Sequence, residues 1–216
     1  MTGMPAWPAR RQDDVWPVVA FLRVATNLSA QDYRDLVSDE AVGSCTMCHG
    51  TEGRSENPFV PRLDILSPAY IAASLHAYSD GSRDSGIMAE AAAGLDDQAI
   101  LRLAKSFPPP KSERVASPQT GPGPELATQG TPEIPSCHAC HGPWQAPLNE
   151  AFPSISGQSK RYLRDQLILW RESARGGGRM AELMHHAARA LDDTDIEALA
   201  AYYSALPPAR LNDMAR

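Results

Sequence analysis

Two short stretches of this chain share one pattern, Cys45-Thr46-Met47-Cys48-His49 and Cys137-His138-Ala139-Cys140-His141. They contain all 4 cysteines of the 216 residues, and a glycine follows each of them. Each stretch brings two thiols and a final imidazole into a segment of five residues, and the second stretch also contains His138. The group that these side chains bind therefore decides how each half of the chain folds.

Three common uses of cysteine fit this pattern poorly. A disulfide framework scatters its cysteines along a short secreted chain, whereas these form two tight pairs 92 residues apart. A four-cysteine zinc site usually has its pairs about 15–20 residues apart and gives no reason for the histidines. A thioredoxin-type pair needs a βαβ context, which the sequence lacks.

The remaining use of C-x-x-C-H is the covalent attachment of haem c. The thiols of Cys45 and Cys48, and those of Cys137 and Cys140, would add to haem vinyl groups, and the adjacent His49 and His141 would become axial iron ligands. The sequence therefore predicts two covalently bound haem c groups as the cofactors.

A second axial ligand is predicted from a repeat that follows each stretch. Met88 and Met184 each precede a Leu-Asp-Asp sequence by seven residues. Apolar residues then recur at helical spacing in both copies, as Ile100, Leu103, Ala104 and Phe107 and as Ile196, Leu199, Ala200 and Tyr203. This pattern predicts a terminal helix capped by aspartate in each of two copies of one module.

The assignment of Met184 has competitors within the same segment. Met180 lies four residues earlier, and His185 and His186 follow directly. A histidine in this position would give a bis-histidine haem of lower reduction potential. The repeat favours Met184, and the other three stay open as alternatives.

A proline follows each predicted ligand histidine at the same distance. Pro61 and Pro153 each lie twelve residues after their histidine, and a carbonyl there can accept the second ring N–H. With these features the chain resembles the class I c-type cytochromes, and most closely the two-haem cytochromes of the c-four group. The resemblance covers about residues 37–216 and implies an all-α fold of two tandem class I modules. The second module fits better, since the first lacks the Gly157-Gln158 pair.

Other side chains are expected around the haems. Four aromatic residues match in pairs between the modules and are expected to line the pockets, namely Tyr70, Tyr78, Tyr162 and Trp170. Three arginines are candidates for contact with the haem propionates, although we expect them at the surface: Arg62, Arg161 and Arg164.

Composition divides the chain into modules and a linker. We place the first cytochrome domain at 37–107, a proline-rich linker at 108–124 and the second domain at 125–216, which opens with a short helix. The abundance of helical patterns without alternating strands supports an all-α class.

Residues 1–36 hold no attachment stretch. Met4 and the apolar segment Val15–Leu22 align with the axial methionine and terminal helix of a module. This segment is therefore interpreted as the tail of a third cytochrome module, or as an N-terminal helix. A signal peptide is the competing interpretation, with Arg10-Arg11 as its basic region, but Asp13-Asp14 before the apolar segment count against it.

The charge of the chain argues against nucleic acid as a partner, and its hydropathy argues against a membrane-spanning helix. The net charge of -6 and the pI of about 5.5 argue against nucleic acid as a partner. No apolar stretch approaches the ~20 residues of a membrane-spanning helix.

The resemblance implies a periplasmic electron carrier and not an enzyme. Its redox partners would be a quinol-oxidising complex or a dehydrogenase on one side and a terminal oxidase on the other. One alternative is the cytochrome subunit of a multi-subunit dehydrogenase, as a fragment of a three-haem subunit. A less favoured alternative is a di-haem peroxidase, in which one haem would lose its distal ligand.

A haem count and a visible spectrum test the double His/Met assignment. Expressed with a c-type maturation system, the chain should carry two covalent low-spin haems, each with a methionine-to-ferric-iron charge-transfer band. One haem only, or a high-spin component without that band, would contradict the assignment. Either result would favour the di-haem peroxidase over the electron carrier.

Overall fold

The computed structural model describes residue 19 and residues 40–110, 120–142, 147–177 and 180–208. The helices in the four longer ranges are α1 (Glu40–His49), α2 (Pro68–Ser79), α3 (Gly86–Ala92), α4 (Asp97–Ser106), α5 (Pro122–Gln129), α6 (His138–His141), α7 (Lys160–Arg171), α8 (Ala181–Ala188) and α9 (Asp193–Ala205). No strand occurs in these ranges, and the predicted all-α class is confirmed. Met4 and the remainder of the predicted N-terminal segment lie outside the described residues.

The first module packs around α2. Ser67 caps this helix by accepting a hydrogen bond from the backbone N–H of Tyr70, and Pro68 occupies its first turn, where no N–H partner is needed. Helix α2 lies against α3 and α4, and α1 lies against α4. The core between these helices is apolar and includes Ile65, Ile71, Leu75, Ile100, Leu103 and Phe107.

The second module repeats this plan, with α7 in the place of α2 and α9 in the place of α4. Helix α9 packs against α5 and α7, and α7 also packs against α8. Its core includes Leu126, Leu163, Trp170, Ile196, Leu199 and Tyr203.

The terminal helix of each module begins where the sequence predicts. The Asp96 side chain accepts a hydrogen bond from the N–H of Ala99 at the start of α4. At the start of α9, the Asp192 side chain accepts a hydrogen bond from the backbone N–H of Asp195. The Asp195 side chain in turn accepts one from the backbone N–H of Asp192, which completes a capping box. The periodic apolar residues of both helices are buried, as predicted.

Helix α5 begins at Pro122, three residues before the predicted opening of the second domain. Pro122 and Pro124 both fall in its first turn, where the missing N–H groups would have no helical partner. Gly123, between these two prolines, lets α5 approach α9 closely, since a Cβ there would lie 2.5 Å from the carbonyl oxygen of Ala198.

The two modules face each other around a pseudo-two-fold axis. The Ser67 hydroxyl donates to the carbonyl oxygen of Glu150 in the second module. The Ser159 hydroxyl donates to the carbonyl oxygen of Pro58 in the first. Ser67 and Ser159 match in the repeat, as do Pro58 and Glu150, so the two bonds are reciprocal.

Gln158 adds a contact that has no counterpart. Its side-chain oxygen accepts from the backbone N–H of Arg62 at 2.9 Å, and its amide donates to the Arg62 carbonyl at 3.1 Å. The first module has Leu66 at the matching position. The Gly-Gln pair that only the second module carries therefore joins the modules to each other.

None of the helices in the described ranges is long and apolar enough to cross a membrane.

Replacing Gly123 by alanine should destabilise the second module by about 1–3 kcal/mol, because the added Cβ would push α5 away from the α9 backbone. Denaturant unfolding followed by far-UV circular dichroism measures the change. The matched control is Gln129→Ala at an exposed position of α5, which should shift stability by less than about 0.5 kcal/mol. Equal stability of the two variants would contradict the close approach.

Candidate functional site

Each C-x-x-C-H stretch forms one helical turn. The first is the end of α1, and the second is α6 with Cys137 as its N-cap. Residues three apart share a face of a helical turn, so both thiols of each pair are presented together. All four cysteines are partly buried and none of them forms a disulfide, so each pair can bond to one group.

The environment of the thiols argues against thiol redox catalysis. Burial raises the pKa of Cys48, and it raises the pKa of Cys137 to about 11. These thiols are therefore protonated near neutral pH, whereas a thioredoxin-type pair depends on a lowered pKa. The two cysteine pairs also do not come together in a shared zinc site. Among the described residues, no cluster of three or more His, Cys, Asp or Glu side chains could hold a metal ion.

The two motif histidines are buried and held in the same way. His49 is 7% exposed, and its Nδ1 donates to the carbonyl oxygen of Pro61 at 2.9 Å. His141 is 8% exposed, and its Nδ1 donates to the carbonyl oxygen of Pro153 at 2.9 Å. Burial lowers the pKa of both rings, which keeps them neutral. Their Nε2 atoms then carry the lone pair that a metal ion requires.

The candidate methionines lie on the core side of short helices. Met88 is in α3 and packs against the first core, and Met184 is in α8 and packs against the second. Met180 is the N-cap of α8 and is 42% exposed. His185 is engaged elsewhere, because its Nε2 lies 2.7 Å from the Arg175 carbonyl oxygen. His186 is exposed.

The donor set of each module fits haem c. Two adjacent thiols, a neutral histidine with an available Nε2 and a partly buried thioether are the groups that attach and ligate this cofactor. The four donors of the first module occur in α1 and α3, and those of the second in and beside α6 and α8. Each module thus contains one set of candidate donors.

The arginines singled out from the sequence are paired with carboxylates. Arg62 donates from Nε to buried Asp64 at 2.9 Å, and Arg161 donates to Asp165 at 2.8 Å. Arg164 bonds to Glu197 and is partly exposed.

Sequence reasoning missed two other arginines that the structure buries between the modules. Arg83 and Arg175 are 7% and 8% exposed. They match each other at the 92-residue offset of the repeat, which is the signal that could have found them.

Comparison with known proteins agrees with this geometry. No protein-family model matches the chain. It is 33% identical over 204 residues to a thiosulfate dehydrogenase electron acceptor from Stutzerimonas stutzeri (strain A1501), covering 88% of this chain and 94% of that protein. It is 30% identical to cytochrome c4 from Pseudomonas aeruginosa, covering 75% and 83%. The solved structure of cytochrome c4 from Acidithiobacillus ferrooxidans matches with a TM-score of 0.64 at 31% identity, covering 75% of this chain and 98% of that one.

Two haem-attachment turns, each in its own helical module, define a tandem-module class I c-type cytochrome. The chain belongs to the cytochrome c4 family. It is an electron-transfer protein with two covalently bound haem c groups, which confirms the predicted cofactors and the carrier role.

The hydroxyl of Tyr203 is a polar group buried in the apolar core of the second module. It is buried without a hydrogen-bond partner within the described part of the chain, and the polar group beside it is the sulfur of Cys137, a weak acceptor. Burial raises the pKa of Tyr203 far above its ordinary value. The first module has Phe107 at the matching position, 3% exposed.

Tyr203→Phe should therefore raise the free energy of unfolding by about 1 kcal/mol, because it removes a buried hydroxyl that lacks a good acceptor. Denaturant titration of the holoprotein measures this change. The neighbouring Tyr202→Phe is the matched control, since the Tyr202 hydroxyl lies 3.4 Å from His138 Nε2 and its loss should lower stability. A loss of stability in both variants would contradict the interpretation.

Proposed function

We propose that this cytochrome is a periplasmic carrier that accepts electrons one at a time from a dehydrogenase and delivers them to a terminal acceptor such as an oxidase. The proposed donor is an enzyme that oxidises thiosulfate. The observation that carries this choice is the similarity to a thiosulfate dehydrogenase electron acceptor, which extends over 94% of that protein. The periplasmic location is proposed from the covalent attachment of haem c.

We further propose that His49 and Met88 are the axial ligands of the first haem, and His141 and Met184 those of the second. A haem held by His and Met supplies reversible one-electron exchange at a raised potential. The neutral rings of His49 and His141 support this assignment, because each offers its Nε2 to a metal.

The proline carbonyls are proposed to orient these ligands. Each of Pro61 and Pro153 accepts the Nδ1–H of its histidine at 2.9 Å, which selects one tautomer and one ring orientation. Such a bond also makes the ring a stronger ligand. Burial of the histidines keeps water from competing for that hydrogen bond.

The contacts in α8 favour Met184 over its neighbours. Met184 packs against the second core, whereas Met180 is exposed to 42% and lies at the helix start. The His185 imidazole packs edge-on against Trp170 and bonds to a backbone carbonyl, so ligation by this side chain would break both contacts.

Met184→Ala should remove the methionine-to-ferric-iron charge-transfer band of one haem, so that about half of the band intensity of the protein is lost. The reduction potential of that haem should fall, because a thioether ligand favours the reduced iron. Visible spectroscopy and spectroelectrochemical titration measure both effects. The matched control is Met180→Ala, which should keep both bands, and the reverse result would assign the ligand to Met180.

The donor is tested by the reduction of the oxidised holoprotein. Thiosulfate with a catalytic amount of a thiosulfate dehydrogenase should reduce both haems, and thiosulfate alone should reduce neither at a comparable rate. Stopped-flow spectroscopy follows the reduced haem bands.

A quinol-oxidising complex with its quinol is the alternative donor in the same assay. Reduction by this complex, together with failure of the dehydrogenase, would overturn the proposed donor and leave the carrier role intact.

A further inference from the structure

A side chain of the second module reaches the peptide group that holds the first motif histidine. The buried Gln158 accepts, through its side-chain oxygen, from the backbone N–H of Arg62 at 2.9 Å. That N–H belongs to the peptide group between Pro61 and Arg62. The carbonyl oxygen of the same peptide group accepts the Nδ1–H of His49 at 2.9 Å. One chain of hydrogen bonds therefore crosses the junction of the modules and ends at the ring of His49.

The orientation of the Gln158 amide is fixed by its partners. The Arg62 N–H can only donate and the Arg62 carbonyl can only accept, so the amide oxygen faces the first and the amide nitrogen donates to the second at 3.1 Å. The backbone N–H of Ser159 also donates to the amide oxygen, at 3.0 Å. Because both ends of this buried amide are engaged, it holds the peptide group in one orientation.

A buried ion pair holds Arg62 from within the first module. The Nε of Arg62 donates to one carboxylate oxygen of Asp64 at 2.9 Å, and its Nη2 donates to the other. Asp64 is fully buried, and Arg54 adds a contact to its carboxylate at 3.4 Å. A forked pair of this kind has a well-defined geometry. The peptide group that Gln158 contacts is therefore held on both sides.

This arrangement has no counterpart at the second haem site. Leu66 stands at the position that matches Gln158, and its side chain cannot accept a hydrogen bond. Ser156 stands at the position that matches Asp64, so the second module lacks the ion pair as well. The two sites are alike in the bond between histidine and proline, and they differ in what acts on that bond.

The chain of bonds affects how strongly the histidine binds a metal. Hydrogen bonds in a chain polarise one another, so a peptide group whose N–H donates has a stronger acceptor at its carbonyl oxygen. A stronger acceptor on Nδ1–H makes the imidazole a more basic ligand. A more basic ligand stabilises ferric iron more than ferrous iron, because ferric iron carries the higher charge.

We infer that Gln158 is a positioning residue for the first haem, which acts from the second module through the Pro61–Arg62 peptide group on His49 and lowers the reduction potential of that haem. The inference rests on the proposed ligation by His49 and is independent of the proposed electron donor. It makes the potential of the first haem depend on the contact between the modules.

The test is the Gln158→Met holoprotein, since this substitution keeps the length of the side chain and removes the amide. In NMR spectra of the reduced, ¹⁵N-labelled protein, the Nδ1–H resonance of His49 should move upfield because its hydrogen bond is weaker. The resonance of His141 should stay in place. In a spectroelectrochemical titration one midpoint potential should rise and the other should be unchanged.

Ser67→Ala is the matched control. It removes another hydrogen bond across the junction, from the Ser67 hydroxyl to the carbonyl oxygen of Glu150, without touching the Pro61–Arg62 peptide group. Both Nδ1–H resonances and both potentials should stay at their wild-type values. The sign of the change is also informative, because water admitted at a loosened junction would favour ferric iron and lower a potential.

An unmoved Nδ1–H resonance of His49 in Gln158→Met, or a potential that is unchanged or lower, would overturn the inference. A loss of stability without these shifts would show a structural role only. Should this variant fail to fold, Gln158→Asn takes its place. It keeps an amide that is one methylene too short to reach Arg62, and the same upfield move and the same rise in potential are expected.

The wild-type spectrum tests the ligation by His49 separately. In the reduced protein the ring current of the haem shifts the ring protons of an axial histidine far upfield. Absence of this shift for His49 would overturn the ligation and the inference together. Its presence, with an unmoved Nδ1–H resonance in the Gln158 variant, would overturn the inference and leave the ligation intact.

Discussion

One hydrogen bond in each module sets the geometry on which the haem sites depend. The Nδ1 of His49 and that of His141 each donate to a proline carbonyl oxygen at 2.9 Å. This bond fixes the tautomer of a buried neutral ring and leaves Nε2 available to a metal. It also ties the attachment turn to the loop that precedes α2 or α7. The ligand, the turn and the loop are thereby held in one arrangement.

The duplicated module explains how the two halves of the molecule meet. Residues that match in the repeat make reciprocal bonds across the junction, as Ser67 and Ser159 do with backbone carbonyls of the opposite module. A surface that is complementary to a copy of itself pairs around a two-fold axis. The Gln158 side chain departs from this symmetry and bonds to both backbone groups of Arg62.

Much of each module was predictable because its signals are local. The caps Asp96 and Asp192 follow from short-range hydrogen bonding between a side chain and the next turn. The start of α5 at Pro122 was missed because two prolines in a proline-rich stretch resemble a linker, while the first helical turn tolerates both.

The candidate site was also predictable only where its signals are local in the sequence. The thiols and histidines are adjacent in the chain, so their pattern alone predicts a haem-attachment turn. The choice of Met184 depended on a repeat alignment, and its packing against the second core together with the exposure of Met180 comes from the fold. Arg83 and Arg175 escaped notice because their match in the repeat is a weak signal and an arginine in a sequence carries no sign of burial.

By itself the sequence determined the all-α class, the duplicated module and the two haem-attachment turns, because each depends on residues close together in the chain. Only the tertiary structure decided the pseudo-two-fold junction and the crossing of Arg83 and Arg175 onto Tyr162 and Tyr70. These contacts join residues 79 and 105 positions apart. Such pairs are selected by the shape and charge of two folded surfaces, which no short sequence pattern encodes.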